Sequence, residues 1–235
     1  MILLKPDKII IKEASSLNYL FKRQFIHLTF LIIISAAIWF LAESSLNQGS
    51  WLSLKDSTWL ILGILVFCVH QVVVGLIFRL QLGNALFTRI FGRLDLTVWG
   101  IIFFPFLAAR PLTIMALSRA SQNTLKINIL FARVLAILLL IPVTYTFWSV
   151  FKYFGVIRAM GGDHFRIKYR KMGLVNQGAF RFTDNAMYKF TFLLLWAIAL
   201  YYRSYPALLL TISQHISIWV FYYCTEKPDM DLIYN

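Results

Sequence analysis

Apolar blocks of about 20 residues recur along this chain, and their length is the feature that most constrains its fold. A helix of about 20 apolar residues crosses a hydrocarbon layer about 30 Å thick. Of the 235 residues, 60% are hydrophobic and 14% are charged, against about 25% charged residues in a soluble domain. Because backbone polar groups inside a bilayer must be satisfied within the protein, such blocks favour helices. The sequence therefore predicts an all-α polytopic membrane protein, a bundle of transmembrane helices.

The apolar pattern predicts five to six spans, and six is the preferred number. The six segments are approximately 25–42, 58–78, 95–117, 127–148, 188–203 and 206–224. Pro105 and Pro111 interrupt the third segment, so a kink is expected there. The last two segments are joined by a short turn and are expected to form a hairpin. A partly embedded helix within residues 80–94 stays open as an alternative.

The net charge of +13 is distributed in a way that indicates membrane topology rather than nucleic-acid binding. In the six-span layout, 17 of the 23 Lys and Arg residues fall on one side and four on the other. Cytoplasmic loops carry such an excess of positive charge. We therefore expect both termini in the cytoplasm, in a bacterial inner membrane or an endoplasmic reticulum membrane. No nucleic-acid partner and no metal site are expected, and the oligomeric state stays open.

The basic residues between the spans are expected to contact phospholipid head groups. Lys5 and Lys8 contribute to the basic N-terminal segment, and Arg79 is placed in a basic loop after the second span. Arg110 and Arg133 are the two basic residues placed within spans. A charged residue inside a membrane span is unusual. For Arg110 three alternatives stay open: its side chain snorkels to the membrane surface, pairs with another group, or lines an entrance for lipid.

Three short polar motifs in the last third of the chain stand at the ends of apolar segments, on one predicted face of the membrane. They are Tyr153-Phe154-Gly155-Val156-Ile157, Asp184-Asn185-Ala186-Met187-Tyr188 and Glu226-Lys227-Pro228, the last followed by Ile233-Tyr234. The closing hairpin is expected to bring the second and third motifs together. Polar groups gathered at one end of an intramembrane hairpin carry a free-energy cost unless they bind a ligand.

The three motifs resemble those of the integral-membrane phosphatidylethanolamine N-methyltransferases. That family carries a Tyr-Phe-Gly-Ile-type segment, an Asp-Asn-Pro-Met-Tyr motif and a Glu-Glu-Pro near a C-terminal Ile-Tyr, and the resemblance covers residues 150–235. Ala186 stands where the family has proline, and Lys227 where it has a second glutamate. The isoprenylcysteine carboxyl methyltransferases belong to the same wider superfamily. The resemblance implies an S-adenosylmethionine-dependent methyltransferase whose cofactor sits between the hairpin and the preceding helix.

The chemistry of the motif residues fits such a cofactor. Glu226 would accept hydrogen bonds from the ribose hydroxyls or the amine, and Arg181 would meet the carboxylate. The ring of Tyr188 would attract the sulfonium, as aromatic faces attract quaternary ammonium groups. The predicted cofactor-binding residues are Tyr153, Gly155, Arg181, Asn185, Met187, Tyr188 and Glu226.

Methyl transfer is an in-line displacement, so the protein mainly has to position the two reactants. An amine acceptor must first lose a proton, and the candidate bases are Asp163, His164 and Asp184. His164 titrates nearest neutral pH. Arg166, Arg170 and Lys171 are predicted to hold the phosphate of a lipid substrate. Two alternatives stay open: the basic run 166–171 as a topology signal, and Asp184-Asn185 as a helix N-cap.

The expected activity is N-methylation of a phospholipid amine, converting phosphatidylethanolamine toward phosphatidylcholine. Residues 1–150 would form the transmembrane scaffold and the lipid-access helices, and residues 151–235 the cofactor-binding region, within one compact domain. One alternative is a methyltransferase that acts on a thiol or carboxyl group of a lipophilic substrate. Another is a non-catalytic membrane protein that kept the fold.

Overall fold

The computed structural model describes residues 9–234, and these residues are almost entirely helical. Lys5 and Lys8, counted above among the basic residues, lie outside the described residues. Five helical stretches are long and apolar enough to cross a membrane, and a shorter apolar helix, Met187–Tyr201, precedes the last of them. The five are Leu17–Ser45, Asp56–Asn84, Leu86–Ala120, Ile129–Phe154 and Tyr205–Tyr234. The predicted all-α bundle with five to six spans is confirmed, and the protein is an integral membrane protein.

The helices and strands within the described range follow in chain order. The helices are α1 (Leu17–Leu20), α2 (Gln24–Ala42), α3 (Asp56–Asn84), α4 (Leu86–Phe91), α5 (Asp95–Ala120), α6 (Ile129–Ser149), α7 (Val156–Ala159), α8 (Gly162–Phe165), α9 (Ile167–Arg170), α10 (Leu193–Tyr201), α11 (Tyr205–Phe221) and α12 (Lys227–Tyr234). A small antiparallel hairpin, β1 (Ser50–Trp51) and β2 (Leu54–Lys55), connects α2 to α3. Short 3₁₀ turns are Lys12–Ser15, Glu43–Ser45, Gly92–Leu94 and Gly178–Arg181.

The bundle has two ends, which the loop contacts distinguish. At one end, here called the turn end, the hydroxyls of Ser121 and Ser204 lie 2.7 Å apart and join the turns that follow α5 and α10. At the other, the motif end, the Tyr19 hydroxyl donates a 2.8 Å hydrogen bond to Asp229. Residues near the beginning and the end of the described range therefore meet at the same end of the bundle. That this end faces the cytoplasm stays a prediction.

Close helix packing explains the apolar core. Helix α3 packs against α5, α10 against α6, and α11 against α2. Gly63 lets α3 approach α11 closely, because a Cβ at that position would lie 2.4 Å from a methyl group of Leu210. Large side chains such as Phe67 and Trp99 fill the interior, while many apolar side chains point outward, as expected for helices in lipid.

Three π-helical turns interrupt the α-helical winding, and each overlaps one of the three motifs. They are Val150–Phe154, Met187–Thr191 and Tyr222–Glu226. Such turns are rare and frequently stand at functional sites, because the extra residue disturbs the regular hydrogen bonding and re-aims side chains. The motif end of the bundle is thus irregular at the three places where the sequence placed its polar residues.

The structure corrects the predicted position of Arg79. The sequence placed it in a loop after residue 78, but α3 continues to Asn84 and Arg79 is buried inside it. Its burial is possible because it meets a carboxylate and three main-chain carbonyls, described below. The short helix α4 lies within residues 80–94, where the sequence analysis kept a partly embedded helix as an alternative. Helix α5 continues through both Pro105 and Pro111.

Candidate functional site

Tyr188 and Glu226 are in direct contact at the motif end. The Tyr188 hydroxyl donates a hydrogen bond to Oε2 of Glu226, which lies 38 positions later in the sequence. Both side chains are partly buried, and both residues belong to π-helical turns. The structure therefore brings together the second and third motifs, as the hairpin in the sequence predicted.

The turn between α10 and α11 fixes this hairpin. The Ser204 side chain caps α11 by accepting a hydrogen bond from the main-chain N–H of Ala207 at 3.2 Å. Pro206 follows at the start of the helix, where a proline costs no hydrogen bond. Aromatic rings of Phe192, Trp219 and Tyr222 surround the Tyr188 ring in edge-on contacts. The local sequence thus holds Tyr188 against the end of α11.

A polar groove of about 590 Å³ opens beside the second motif. It is lined by Tyr153, Asn176, Gln177, Gly178, Phe180, Arg181 and Asp184. Gly178 has a positive φ of +59°, and a Cβ there would lie 2.5 Å from Oγ of Ser149, so only glycine fits. Three predicted site residues share this groove, which offers one positive and one negative side chain to a ligand.

The other predicted cofactor-binding residues lie close by in the chain without lining the groove. Gly155 ends the first π-helical turn with a positive φ of +89°. Asn185 is partly buried, and its carbonyl accepts a hydrogen bond from the N–H of Lys189. Met187 packs on a small cluster that contains Phe180. Their roles toward a cofactor stay predictions.

The candidate bases occupy two different places. Asp184 is exposed in the polar groove. Asp163 and His164 are neighbours in α8, and both side chains are buried. Nε of Arg158 lies 3.3 Å from one carboxylate oxygen of Asp163, and the other oxygen has no partner. The His164 ring stacks on a phenylalanine ring 4.0 Å away, and its Nδ1 is also unpartnered.

A buried cluster around Asp229 was not foreseen from the sequence. One carboxylate oxygen lies 2.7 Å from Nε of Arg79 and accepts the Tyr19 hydroxyl at 2.8 Å, while the other lies 3.3 Å from Nε2 of His164. Arg79 also donates to the carbonyls of Tyr19, Cys224 and Thr225. Because the last two carbonyls belong to the π-helical turn that ends at Glu226, this cluster positions Glu226.

The predicted phosphate ligands do not form one exposed basic surface. They are Arg166, Arg170 and Lys171. Arg166 makes two contacts with the carboxylate of Asp95, at 2.5 and 2.8 Å. Arg170 donates to the main-chain carbonyls of Asp163 and His164, and burial lowers its pKa from the ordinary value. Lys171 alone is exposed. Two of the three side chains are thus engaged within the protein, and a role in binding phosphate stays a prediction.

A second, apolar groove of about 370 Å³ lies between α6, α10 and α11. It is lined by Leu135, Leu139, Leu193, Trp196, Leu200, Leu208 and His215. The indole N–H of Trp196 donates a 3.0 Å hydrogen bond to Nδ1 of His215, which satisfies both polar groups. The shape and lining suit a hydrocarbon chain. Within residues 9–234, no group of His, Cys, Asp and Glu side chains is arranged to hold a metal ion.

Fold and site together define an integral membrane protein of the helical-bundle class, with polar motifs gathered at one end by its closing hairpin. Residues 131–235 match the model of the family described as phospholipid methyltransferase (PEMT). This match confirms the family resemblance predicted from the three motifs, and the family implies methyltransferase activity and a methyl donor. No curated protein and no solved structure matches the chain.

Proposed function

We propose that this protein transfers a methyl group from S-adenosylmethionine to the amine of a phospholipid head group, converting phosphatidylethanolamine toward phosphatidylcholine. The hydrogen bond between Tyr188 and Glu226 is the observation that carries the proposal. It joins the two motifs that the family resemblance assigns to the cofactor, and both lie within the matched residues 131–235.

The chain provides suitable groups for each part of the cofactor. Arg181, in the polar groove, would pair with a carboxylate, and Glu226 would accept hydrogen bonds from hydroxyl or amino groups. The aromatic rings around Tyr188 present faces that attract a sulfonium. When bound, S-adenosylmethionine supplies an electrophilic methyl group. The glycine at position 178 leaves room in the groove where any side chain would collide with Ser149.

Proton removal from the acceptor amine falls to one of the three candidate bases. Asp184 lines the polar groove and would reach a ligand there directly. His164 lies in α8 with its Nδ1 atom unpartnered and its Nε2 atom 3.3 Å from Asp229, so one ring nitrogen is available to a ligand. Asp163 is paired with Arg158, so one of its carboxylate oxygens is already engaged within the protein.

The lipid acceptor would approach from the side of the bundle. The apolar groove between α6, α10 and α11 suits one acyl chain, and its residue His215 stacks on Phe192, which in turn contacts Tyr188. A chain bound there would place its head group toward the motif end. Exposed Lys171 is available there to a phosphate group.

The direct test measures methyl transfer by purified protein in lipid nanodiscs. Phosphatidylethanolamine and S-adenosylmethionine with a radiolabelled methyl group are supplied, and the extracted lipids are separated by head group. We expect label in methylated ethanolamine lipids. The Glu226→Gln variant should lose donor binding, while Asp231→Asn should not, because Asp231 is an exposed carboxylate that forms an ion pair with Lys227. Wild-type protein that neither labels lipid nor binds S-adenosylhomocysteine in calorimetry would refute the proposal and favour a non-catalytic protein.

A methyltransferase acting on a thiol or carboxyl group is the second candidate. The apolar groove favours any lipophilic acceptor, since its lining contains no feature specific to an amine head group. Lys227, which replaces the family's second glutamate, is turned toward Asp231 on the exposed face, so Glu226 acts without a neighbouring carboxylate from the motif. Supplying prenylated cysteine in place of phosphatidylethanolamine separates the two candidates, because each predicts label in only one acceptor.

A further inference from the structure

Arg110 is a buried guanidinium for which the surrounding protein provides no counter-charge. Only 3% of the residue is exposed, and its Nε and Nη2 atoms have no hydrogen-bond partner. None of the ion pairs found among residues 9–234 includes it. Among the described residues two other arginines are buried, Arg79 and Arg158, and each contacts a carboxylate.

Because of the position of Arg110 along α5, the lack of a counter-charge carries a high free-energy cost. Arg110 stands about three helical turns before Ser121, which marks the turn end of the bundle, so it lies about 16 Å from that end. This is about half of a hydrocarbon thickness of about 30 Å. Charged side chains at the bilayer midplane are expensive and face the bundle interior, where they pair or mark a ligand path.

One shared aromatic neighbour, Phe192, links Arg110 to the candidate site. Its Cζ atom lies 5.2 Å from the centre of the Phe192 ring. The same ring contacts Tyr188 edge-on and stacks with His215 at 5.4 Å. Arg110 therefore lies on the inner side of the Tyr188–Glu226 pair, toward the bilayer centre.

A second buried polar side chain is also without partners, and it stands one helical turn beyond Leu210. Leu210 lies beside Gly63 together with Thr113, which is one turn beyond Arg110. Gln214, the residue before His215, is 0% exposed, and both its amide nitrogen and its amide oxygen lack a hydrogen bond. Buried polar groups are almost always hydrogen-bonded, so each exception calls for an explanation. The cation–π contact of Arg110 with Phe192 offsets only part of the free-energy cost of removing the charged guanidinium from water. A bound ligand would satisfy both side chains.

We propose that Arg110 binds an anionic oxo group, a carboxylate or a phosphate, in a bidentate contact inside the bundle, and that Gln214 assists it. The guanidinium fork matches both groups. The identity of the ligand rests on the proposed function: the carboxylate is that of the methyl donor, or the phosphate is that of the lipid acceptor. Arg110 lies outside the family-matched residues 131–235, so the N-terminal helices contribute a binding residue to the site.

The test compares wild type, Arg110→Gln, Arg110→Lys and the control Arg133→Gln. Arg133 is also within a span, but it is exposed and lies over the ring of Tyr201. Calorimetry measures binding of S-adenosylhomocysteine, and a separate titration measures a short-chain phosphatidylethanolamine. Arg110→Gln should weaken one of the two ligands by about tenfold or more, the effect of a lost charged hydrogen bond. Arg110→Lys should also weaken it, because lysine makes no bidentate contact.

The ligand that loses affinity identifies the anionic group that Arg110 holds. Unchanged affinity of Arg110→Gln for both ligands overturns the inference while the proposed function stands. Should Arg110→Gln fail to fold by circular dichroism and gel filtration, unchanged affinity of Arg110→Lys for both ligands overturns it instead. Wild type that binds neither ligand overturns the inference and the proposed function together. The control Arg133→Gln should bind both ligands like wild type, and an equal loss there also overturns a specific role for Arg110.

Discussion

Nε of Arg79 lies 2.7 Å from Oδ1 of Asp229, and both side chains are almost completely shielded from solvent. This ion pair joins α3 to α12, and Arg79 extends it to the carbonyls of Cys224 and Thr225. The residue that follows these two is Glu226. The pair therefore links the N-terminal helices to the carboxylate on which the proposed activity depends.

Replacing Asp229 by Asn should destabilise the protein by about 3–5 kcal/mol, the cost of breaking a buried ion pair by removing one partner. Arg79 would keep its charge in the interior with no carboxylate to balance it. Thermal unfolding in detergent, followed by circular dichroism, measures the change. The matched control is Asp231→Asn, two positions later on the same helix and exposed. Equal unfolding temperatures for the two variants would show that the ion pair does not contribute to stability.

Replacing Tyr188 by Phe should weaken donor binding without affecting folding. The variant removes only the hydroxyl that donates to Glu226, so the carboxylate is no longer held in position for the donor. We expect donor affinity to fall by about tenfold, the scale of one hydrogen bond to a charged group. Calorimetry with S-adenosylhomocysteine measures the effect. Tyr201→Phe is the control, since Tyr201 is an exposed tyrosine at the other end of the same apolar helix. A Tyr188→Phe variant that binds like the control would separate Tyr188 from the cofactor site.

Gly161→Ala should be far more damaging than Gly173→Ala. Both glycines have a positive φ, +86° and +66°, so the backbone strain of an alanine is similar. A Cβ at Gly161 would lie 2.3 Å from the Phe78 ring, whereas nothing lies within 4 Å of a Cβ at Gly173. We expect the free energy of unfolding, measured by thermal unfolding, to fall by about 1–3 kcal/mol more for Gly161→Ala than for Gly173→Ala. This is the usual cost of overpacking.

Activity gives a second readout of the same pair of variants. Phe78 stacks on His164, so displacing the phenylalanine ring displaces a candidate base. Gly161→Ala should therefore lower methyl transfer even at temperatures where the protein remains folded. Similar stability and activity for the two alanine variants would contradict the steric argument.

Cysteine labelling should place the two ends of the bundle on opposite sides of the membrane. In a background with Cys68 and Cys224 replaced by Ala, single cysteines are introduced at Gln48, at the turn end, and at Lys171, at the motif end. The positive charge excess predicts that Lys171→Cys is labelled from the cytoplasm and Gln48→Cys from the opposite side. A membrane-impermeant maleimide applied to intact cells or spheroplasts tests this. Labelling of Lys171→Cys from outside would reverse the predicted orientation.

The helical class and the span count were predictable because apolar block length is a local property of the sequence. The second span was predicted to end at residue 78, yet α3 continues to Asn84. The reason is that Arg79 and Gln81 end the apolar window, although the folded protein buries both in polar contacts. Hydropathy records the cost of a polar side chain in lipid and contains no information about a partner that arrives later in the sequence.

The contact between Tyr188 and Glu226 was predictable because two adjacent helices joined by a short turn must be antiparallel neighbours. The cluster of Tyr19, Arg79 and Asp229 was not, because its members come from the beginning, the middle and the end of the chain and meet only through tertiary packing. The π-helical turns have no sequence pattern of their own. Arg110 was singled out as unusual, but its missing counter-charge became visible only with its neighbours in place.

The partners of Asp229 also determine the order in which the protein can mature. Arg79 and Tyr19 emerge from the ribosome long before α12, which is synthesised after every other described helix. Until α12 has been synthesised, the guanidinium of Arg79 in α3 has no Asp229 carboxylate to balance its charge. A fragment that starts at residue 131 would keep all three motifs and yet bury Asp229 without Arg79 and Tyr19, with His164 as its remaining partner. The buried charge of Arg79 is therefore balanced only after α12 has been synthesised.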